Sequence, residues 1–220
     1  FQQSNTSSGH EFSELKSYLL ARLLWDPKTD ADSVMDDFLR GYYGKAGLFV
    51  RKYIDAVRAA LGRTGAKLDI YEPPAVHAED YLSAADVAAY NMLFDKAEAA
   101  AAGDPAALAR VRTARLPLMY AMLEIGKNDM FGPRGFSGEK GGRFSSRPEM
   151  VRLLEDFRAR AEDGNVRTLS EGGLTPTAYY DAAKRFIDVQ VDGNLAFRKP
   201  VEAAPQPSPK YSNGDLAILT

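Results

Sequence analysis

Apolar residues recur at helical spacing along most of this chain. Phe12, Leu15, Tyr18, Leu19 and Leu23 follow the i, i+3, i+4 rule, which predicts a first helix over 11–25. Asp26-Pro27 should stop it, because proline disfavours helix at the residue before it. Thr29 followed by Asp32 reads as a capping box. It opens a second helix through Val34, Met35, Phe38 and Leu39, ending at Gly41 or Gly44. Phe49, Tyr53, Val57 and Leu61 recur every fourth residue, and Gly62 is expected to end that third helix. LDIYEPP then reads as extended and broken by Pro73-Pro74. Ser83 and Asp86 form another capping box, opening a helix through Val87, Tyr90, Phe94 and Ala97. Asp104-Pro105 starts the next one, since an acid caps well and proline fits the first helical position. That helix is expected to reach Asp129 with Pro117 as an internal kink. The backbone bond lost there costs about 3 kcal/mol unless something compensates.

Residues 131–147, FGPRGFSGEKGGRFSSR, break the pattern, because five glycines forbid a stable helix. Helix resumes at Pro148, with Ser146 and Glu149 expected as its cap, and ends at Gly164. Val166 to Leu169 reads as a short extended piece, and Thr175-Pro176 opens a last helix through Tyr179, Ala183 and Phe186. Four prolines between Pro200 and Pro209 then mark a stiff linker over 193–210. The expected fold is all-α: an irregular bundle of about six to seven helices over 11–192, with a long Gly-rich loop and an extended C-terminal tail.

Composition narrows the function more than the fold. A net charge of −2 gives no long-range field to attract nucleic acid. No apolar run approaches the roughly 20 residues that span a bilayer. The chain has no cysteine, which excludes disulfides, thiolate metal sites and cysteine nucleophiles. Its two histidines, His10 and His77, leave little for a catalytic triad or a metal centre. Neither a metal nor a cofactor is expected. The first residue is Phe1 rather than Met, so the chain is expected to be processed or a fragment.

Candidate chemistry is sparse. Asp36-Asp37, Glu79-Asp80 and Glu155-Asp156 are adjacent pairs. Neighbours on a helix point about 100° apart and rarely face one another as an acid and base must. They read as solvated helix faces, and no catalytic residue is assigned. His77, at a helix entrance, could serve as a general base or a ligand, and reads first as a capping or surface residue. The spacing GxxGxxGxxG from Gly132 to Gly141 is neither a P-loop nor a dinucleotide fingerprint. Its basic and aromatic residues, Arg134, Phe136 and Arg143 foremost, are the best local candidates for gripping an anionic or sugar ligand. The competing reading is a mobile surface loop anchored by phenylalanines. Tyr42-Tyr43 and Tyr179-Tyr180 fall on apolar stripes and are expected in the core. Trp25, the only tryptophan, is expected to close the end of the first helix against the second.

Several motifs carry a resemblance: ARLLWDP (21–27), FLRGYYG (38–44), ARLPLMYAMLE (114–124) and LSEGGLTPTAYY (169–180). Over roughly residues 10–190 the chain resembles the C-terminal helical part of a bacterial domain-of-unknown-function family, number 4838. That family occurs on secreted glycoside-hydrolase-like proteins related to the α-glucuronidase and β-hexosaminidase clans. The resemblance implies an upstream catalytic (β/α)8-type barrel in the same polypeptide, with its acids at the strand C-termini. Residues 1–10 would then follow the barrel, placing Gln2, Gln3, Asn5 and His10 near the rim of a carbohydrate cleft. A secreted, periplasmic or cell-surface location is implied as well. SPKYSNGDLAILT, at the end, resembles the opening of a discoidin-like β-sandwich, giving a truncated domain over 211–220. The expected role is an accessory helical domain that buttresses the barrel and lends loops to its cleft or to a dimer interface. The alternative is a self-standing helical carbohydrate-binding or protein-interaction module.

Overall fold

The computed structural model describes residues 11–69, 72–140, 143–169 and 172–192, with the backbone alone at 140, 143, 190 and 191. The segment 1–10, the linker 193–210 and the stretch 211–220 lie outside the described residues, and so do Gln2, Gln3, Asn5 and His10. Seven α-helices and one β-hairpin form among those described: α1 (Ser13–Trp25), α2 (Ala31–Tyr43), α3 (Gly47–Thr64), α4 (Ala84–Ala101), α5 (Pro105–Asn128), β1 (Ser137–Lys140), β2 (Arg143–Ser146), α6 (Pro148–Asp163) and α7 (Pro176–Phe186). The helical bundle expected from periodicity is therefore present.

Local chemistry sets most helix starts. Ser83 accepts the Asp86 N–H at 3.2 Å while its hydroxyl donates back to the Asp86 carboxylate at 2.6 Å. Asp104 accepts from the N–H groups of Ala106 and Ala107 ahead of Pro105, and Thr175 accepts from Ala178 ahead of Pro176. Two boundaries differ from expectation. The cap of α2 is Asp30, not Thr29: its carboxylate accepts from the Asp32 N–H at 3.1 Å and the Ser33 hydroxyl at 2.6 Å. A charged acceptor is favoured over a hydroxyl where the helix dipole is positive. α3 runs through Gly62 and ends at Gly65, whose φ of 66° is the left-handed turn that glycine adopts without strain. Val166 to Leu169 forms no strand, and the Leu169 N–H closes onto the Leu174 carbonyl at 2.7 Å.

The Gly-rich segment is not a long loop. β1 and β2 pair antiparallel, Ser137 opposite Ser146 and Lys140 opposite Arg143. The glycines serve close packing: a Cβ at Gly135 would collide with the carbonyl oxygens of Asp129 and Met130. Ser146 does not cap α6. Its N–H and hydroxyl bond the Asp192 carboxylate instead, at 2.7 and 2.9 Å, tying the hairpin to the π-helical turn Ile187–Asp192 after α7.

Two hydrophobic clusters result. α1 to α4 surround Leu39, Tyr43, Val50, Tyr90 and Phe94. The hairpin, α6 and α7 surround Phe136, Leu154, Phe157 and Tyr179. α5 is their shared wall, giving Val111, Leu118 and Ile125 to the first and Leu116, Met119 and Leu123 to the second.

Trp25 overturns its expectation. It is 91% exposed and closes nothing. α1 meets α2 through its earlier turns, where Tyr18 and Phe38 rings lie 5.4 Å apart. Leu24 is nine residues beyond buried Leu15, half a revolution away at about 100° per residue. Leu20, Leu24 and Trp25 therefore form an outward apolar face at the free end of the helix.

Candidate functional site

A cleft of about 510 Å3 opens along the seam between the two clusters. Its walls come from five places: Glu11 to Glu14 at the start of α1, Tyr42 and Tyr43 at the end of α2, the middle of α5, Phe157, and the turn after α6. Pro117 lines it from α5. Having no N–H, Pro117 leaves the carbonyl of Thr113, another wall residue, without its helical donor.

Charge in the cleft is lopsided. Glu11, Glu14 and Asp163 face a single cation, Arg110. Arg110 lies 4.4 Å above the Tyr42 ring and donates to the Tyr42 carbonyl at 2.8 Å. Phe38 stacks on the same ring at 4.9 Å. Glu11 accepts from the Tyr53 hydroxyl at 3.0 Å. Burial pushes the Glu11 carboxyl above its ordinary range, against the opposing pull of that hydrogen bond and of Lys16. Burial, with Glu14 adding, also raises the Tyr42 hydroxyl, and burial raises Tyr43 and Tyr120. The cleft therefore offers many acceptors, apolar ring walls and one positive group that is already seated.

A second depression, of about 490 Å3, lies over α2 and α3. Of its three cations, Arg40, Lys45 and Arg51, the last is shared among Asp32, Asp36 and Asp55 at 2.7–3.0 Å. Those contacts fasten α2 to α3 and occupy the Arg51 guanidinium.

The residues chosen from sequence fall elsewhere. Phe136 is fully buried in the second cluster and has no surface to offer a ligand. Arg134 is a clamp: its guanidinium donates to the carbonyls of Leu82 and Ala78 at 2.8 and 2.7 Å and pairs with Glu79 at 3.0 Å. Arg143 opens β2, and its side chain lies outside the described residues. Arg147, their neighbour, holds the turn by donating to the carbonyls of Ser137, Pro133 and Gly132. His77 is buried rather than on the surface. Its Nδ1 lies 2.9 Å from Asp80 and its Nε2 3.4 Å from Glu72. Tyr179 is in the core and Tyr43 is buried, whereas half-buried Tyr42 faces the cleft.

Glu11, Glu14, Arg110 and Tyr120 escape a reading of the chain by segments. Pro117 was the available signal, since a proline inside a long helix asks what its freed carbonyl faces. Among the described residues no group of three or more histidine, cysteine or acidic side chains is placed to hold a metal ion. None of the helices is long and apolar enough to cross a membrane.

Residues 1–55 match the model of a family described as a domain of unknown function (DUF4838). The match covers α1, α2 and the first half of α3, including ARLLWDP and FLRGYYG. The later motifs, ARLPLMYAMLE and LSEGGLTPTAYY, lie beyond it. No curated protein matches the chain, and no solved structure does.

Proposed function

We propose that this chain is an accessory α-helical domain of a secreted bacterial glycoside-hydrolase-like protein, seated against a catalytic barrel of the same polypeptide. The observation that carries the reading is the outward apolar face of α1. Leu20, Leu24 and Trp25 are 41%, 62% and 91% exposed, all within the segment that the family model matches. A contiguous apolar face of this kind marks a place where another surface belongs. The barrel is the occupant that the resemblance supplies, and on this reading residues 1–10 run between barrel and helix. A discoidin-like module beyond the Pro-rich segment belongs to the same proposal.

The alternative is a self-standing carbohydrate-binding or interaction module working through residues 131–147. It loses its anchors, because Phe136 is buried and the guanidinium of Arg134 is spent on backbone carbonyls.

The test compares this 220-residue chain with a longer natural polypeptide of the family that contains it. Both are assayed on aryl glycosides, uronides and N-acetylhexosaminides. Turnover by the longer protein alone is expected, with Trp25→Asp lowering that protein's melting temperature. Turnover by the short chain would overturn the reading, as would a Trp25→Asp change that leaves the longer protein's stability untouched.

A further inference from the structure

We propose that the cleft between the two clusters binds a small organic cation, an ammonium or amidinium carried on an apolar or ring-shaped body. This stands apart from the accessory-domain reading, which rests on the other end of α1. The cleft volume, about 510 Å3, falls within the ~300–1,000 Å3 typical of small-ligand sites.

Glu11 is the deciding group. It is half-buried, and among the described residues it meets the Tyr53 hydroxyl at 3.0 Å and no ion-pair partner. Lys16 acts on it only from a distance. A carboxylate partly withdrawn from water with no counter-ion beside it is stabilised when a cation joins it. Glu14 and Asp163 add two more negative groups to the same walls. An anion would be repelled here. The molecule also shows how a cation rests in this place, because Arg110 already sits over the Tyr42 ring at 4.4 Å. Phe12, Leu116, Phe157 and Val166 supply the apolar surface that a hydrocarbon or aromatic body would cover.

The test is isothermal titration calorimetry of the full chain at low salt with three ligands of one size. Benzamidine carries the amidinium, benzoate a carboxylate and benzyl alcohol no charge. Saturable binding of one equivalent of benzamidine is expected, with benzoate not bound and benzyl alcohol at least about tenfold weaker. Glu11→Gln and Glu14→Gln should each weaken benzamidine about tenfold, the scale of one lost charge contact. Arg110→Ala should tighten it, because it vacates the Tyr42 ring and removes a like charge. If Glu11→Gln fails to fold, exposed Glu14 carries the test through its own substitution. Equal binding of benzamidine and benzyl alcohol would show a merely apolar cavity and overturn the proposal. So would binding of benzoate, no saturable binding of benzamidine, or benzamidine affinity unchanged in both Gln variants.

Discussion

Glu98 and Glu11 both lie where the two hydrophobic clusters meet, and their surroundings differ in one respect. Glu98 receives Arg160 at 2.6 Å and Arg115 at 2.9 Å, joining α4 to α5 and α6. Glu11 receives a tyrosine hydroxyl and no ion-pair partner among the described residues. Burial raises both carboxyls. At Glu98 the two guanidiniums outweigh it and hold the group below its ordinary range, while at Glu11 burial prevails and the group stays above. The same residue type at the same seam is thus a fastener in one place and, among the described residues, a carboxylate without an ion-pair partner in the other. Neighbouring charge, and not depth alone, decides which.

The largest expected effect is at the fastener. Glu98→Ala leaves Arg115 and Arg160 facing one another with only Asp95 and Asp156 as other acidic partners. It should lower the unfolding free energy by about 2–3 kcal/mol in denaturant titrations at pH 7. A loss under about 0.5 kcal/mol would place Glu98 with ordinary surface pairs and erase the contrast.

Glu11→Gln should act with the opposite sign, keeping the acceptor for Tyr53 while deleting the costly charge. A gain of under about 1 kcal/mol at pH 7 is expected from the same titration. Acid sharpens the comparison. The lowered Glu98 contributes stability that is present above the ordinary glutamate value of about 4.3 and is lost as pH falls through its folded value. The raised Glu11 is favourable below that ordinary value, and the benefit is lost as pH rises through its folded value. The deficit of Glu98→Ala should therefore shrink in acid, and the gain of Glu11→Gln should vanish there. Thermal melts from pH 3 to pH 7 read both, and parallel curves for the two variants would refute the assignment.

Smaller effects extend the contrast to neutral groups. The hydroxyl of Ser137 is buried without a hydrogen-bond partner. Ser137→Ala should be neutral or stabilising by roughly 0.5–1 kcal/mol, and a clear loss would reveal a partner for that hydroxyl. The smallest effect belongs to Trp25, which touches so little of this chain that Trp25→Ser should leave its unfolding free energy within about 0.5 kcal/mol.

Much of the fold was legible because its causes are local. Ser83 with Asp86, Asp104 with Pro105 and Thr175 with Pro176 each complete their hydrogen bonds within a few residues. The misread boundaries were also local, and there two plausible groups competed: Thr29 against Asp30 for a cap, Gly62 against Gly65 for a helix end. The charged cap at Asp30 and the left-handed turn at Gly65 decided them. The Gly-rich hairpin was harder, since its glycines exclude a helix without saying what Arg134 and Arg147 clamp. Of the cleft, Pro117 alone left a mark on the sequence. Glu11 bonds Tyr53 42 residues away, and Arg110 meets Tyr42 across 68.

The sequence by itself determined that this protein is built of helices, where most of them start, and that Pro117 lies inside the longest. Hydrophobic period and capping act over one or two turns, so a linear reading captures them. Only the tertiary structure decided that Phe136 is core, that Trp25 faces outward, and that Glu98 meets two guanidiniums while Glu11, among the described residues, meets a tyrosine hydroxyl. Each of those outcomes depends on which groups distant in the chain arrive beside one another, and that is set by how α5 divides its two faces between the clusters.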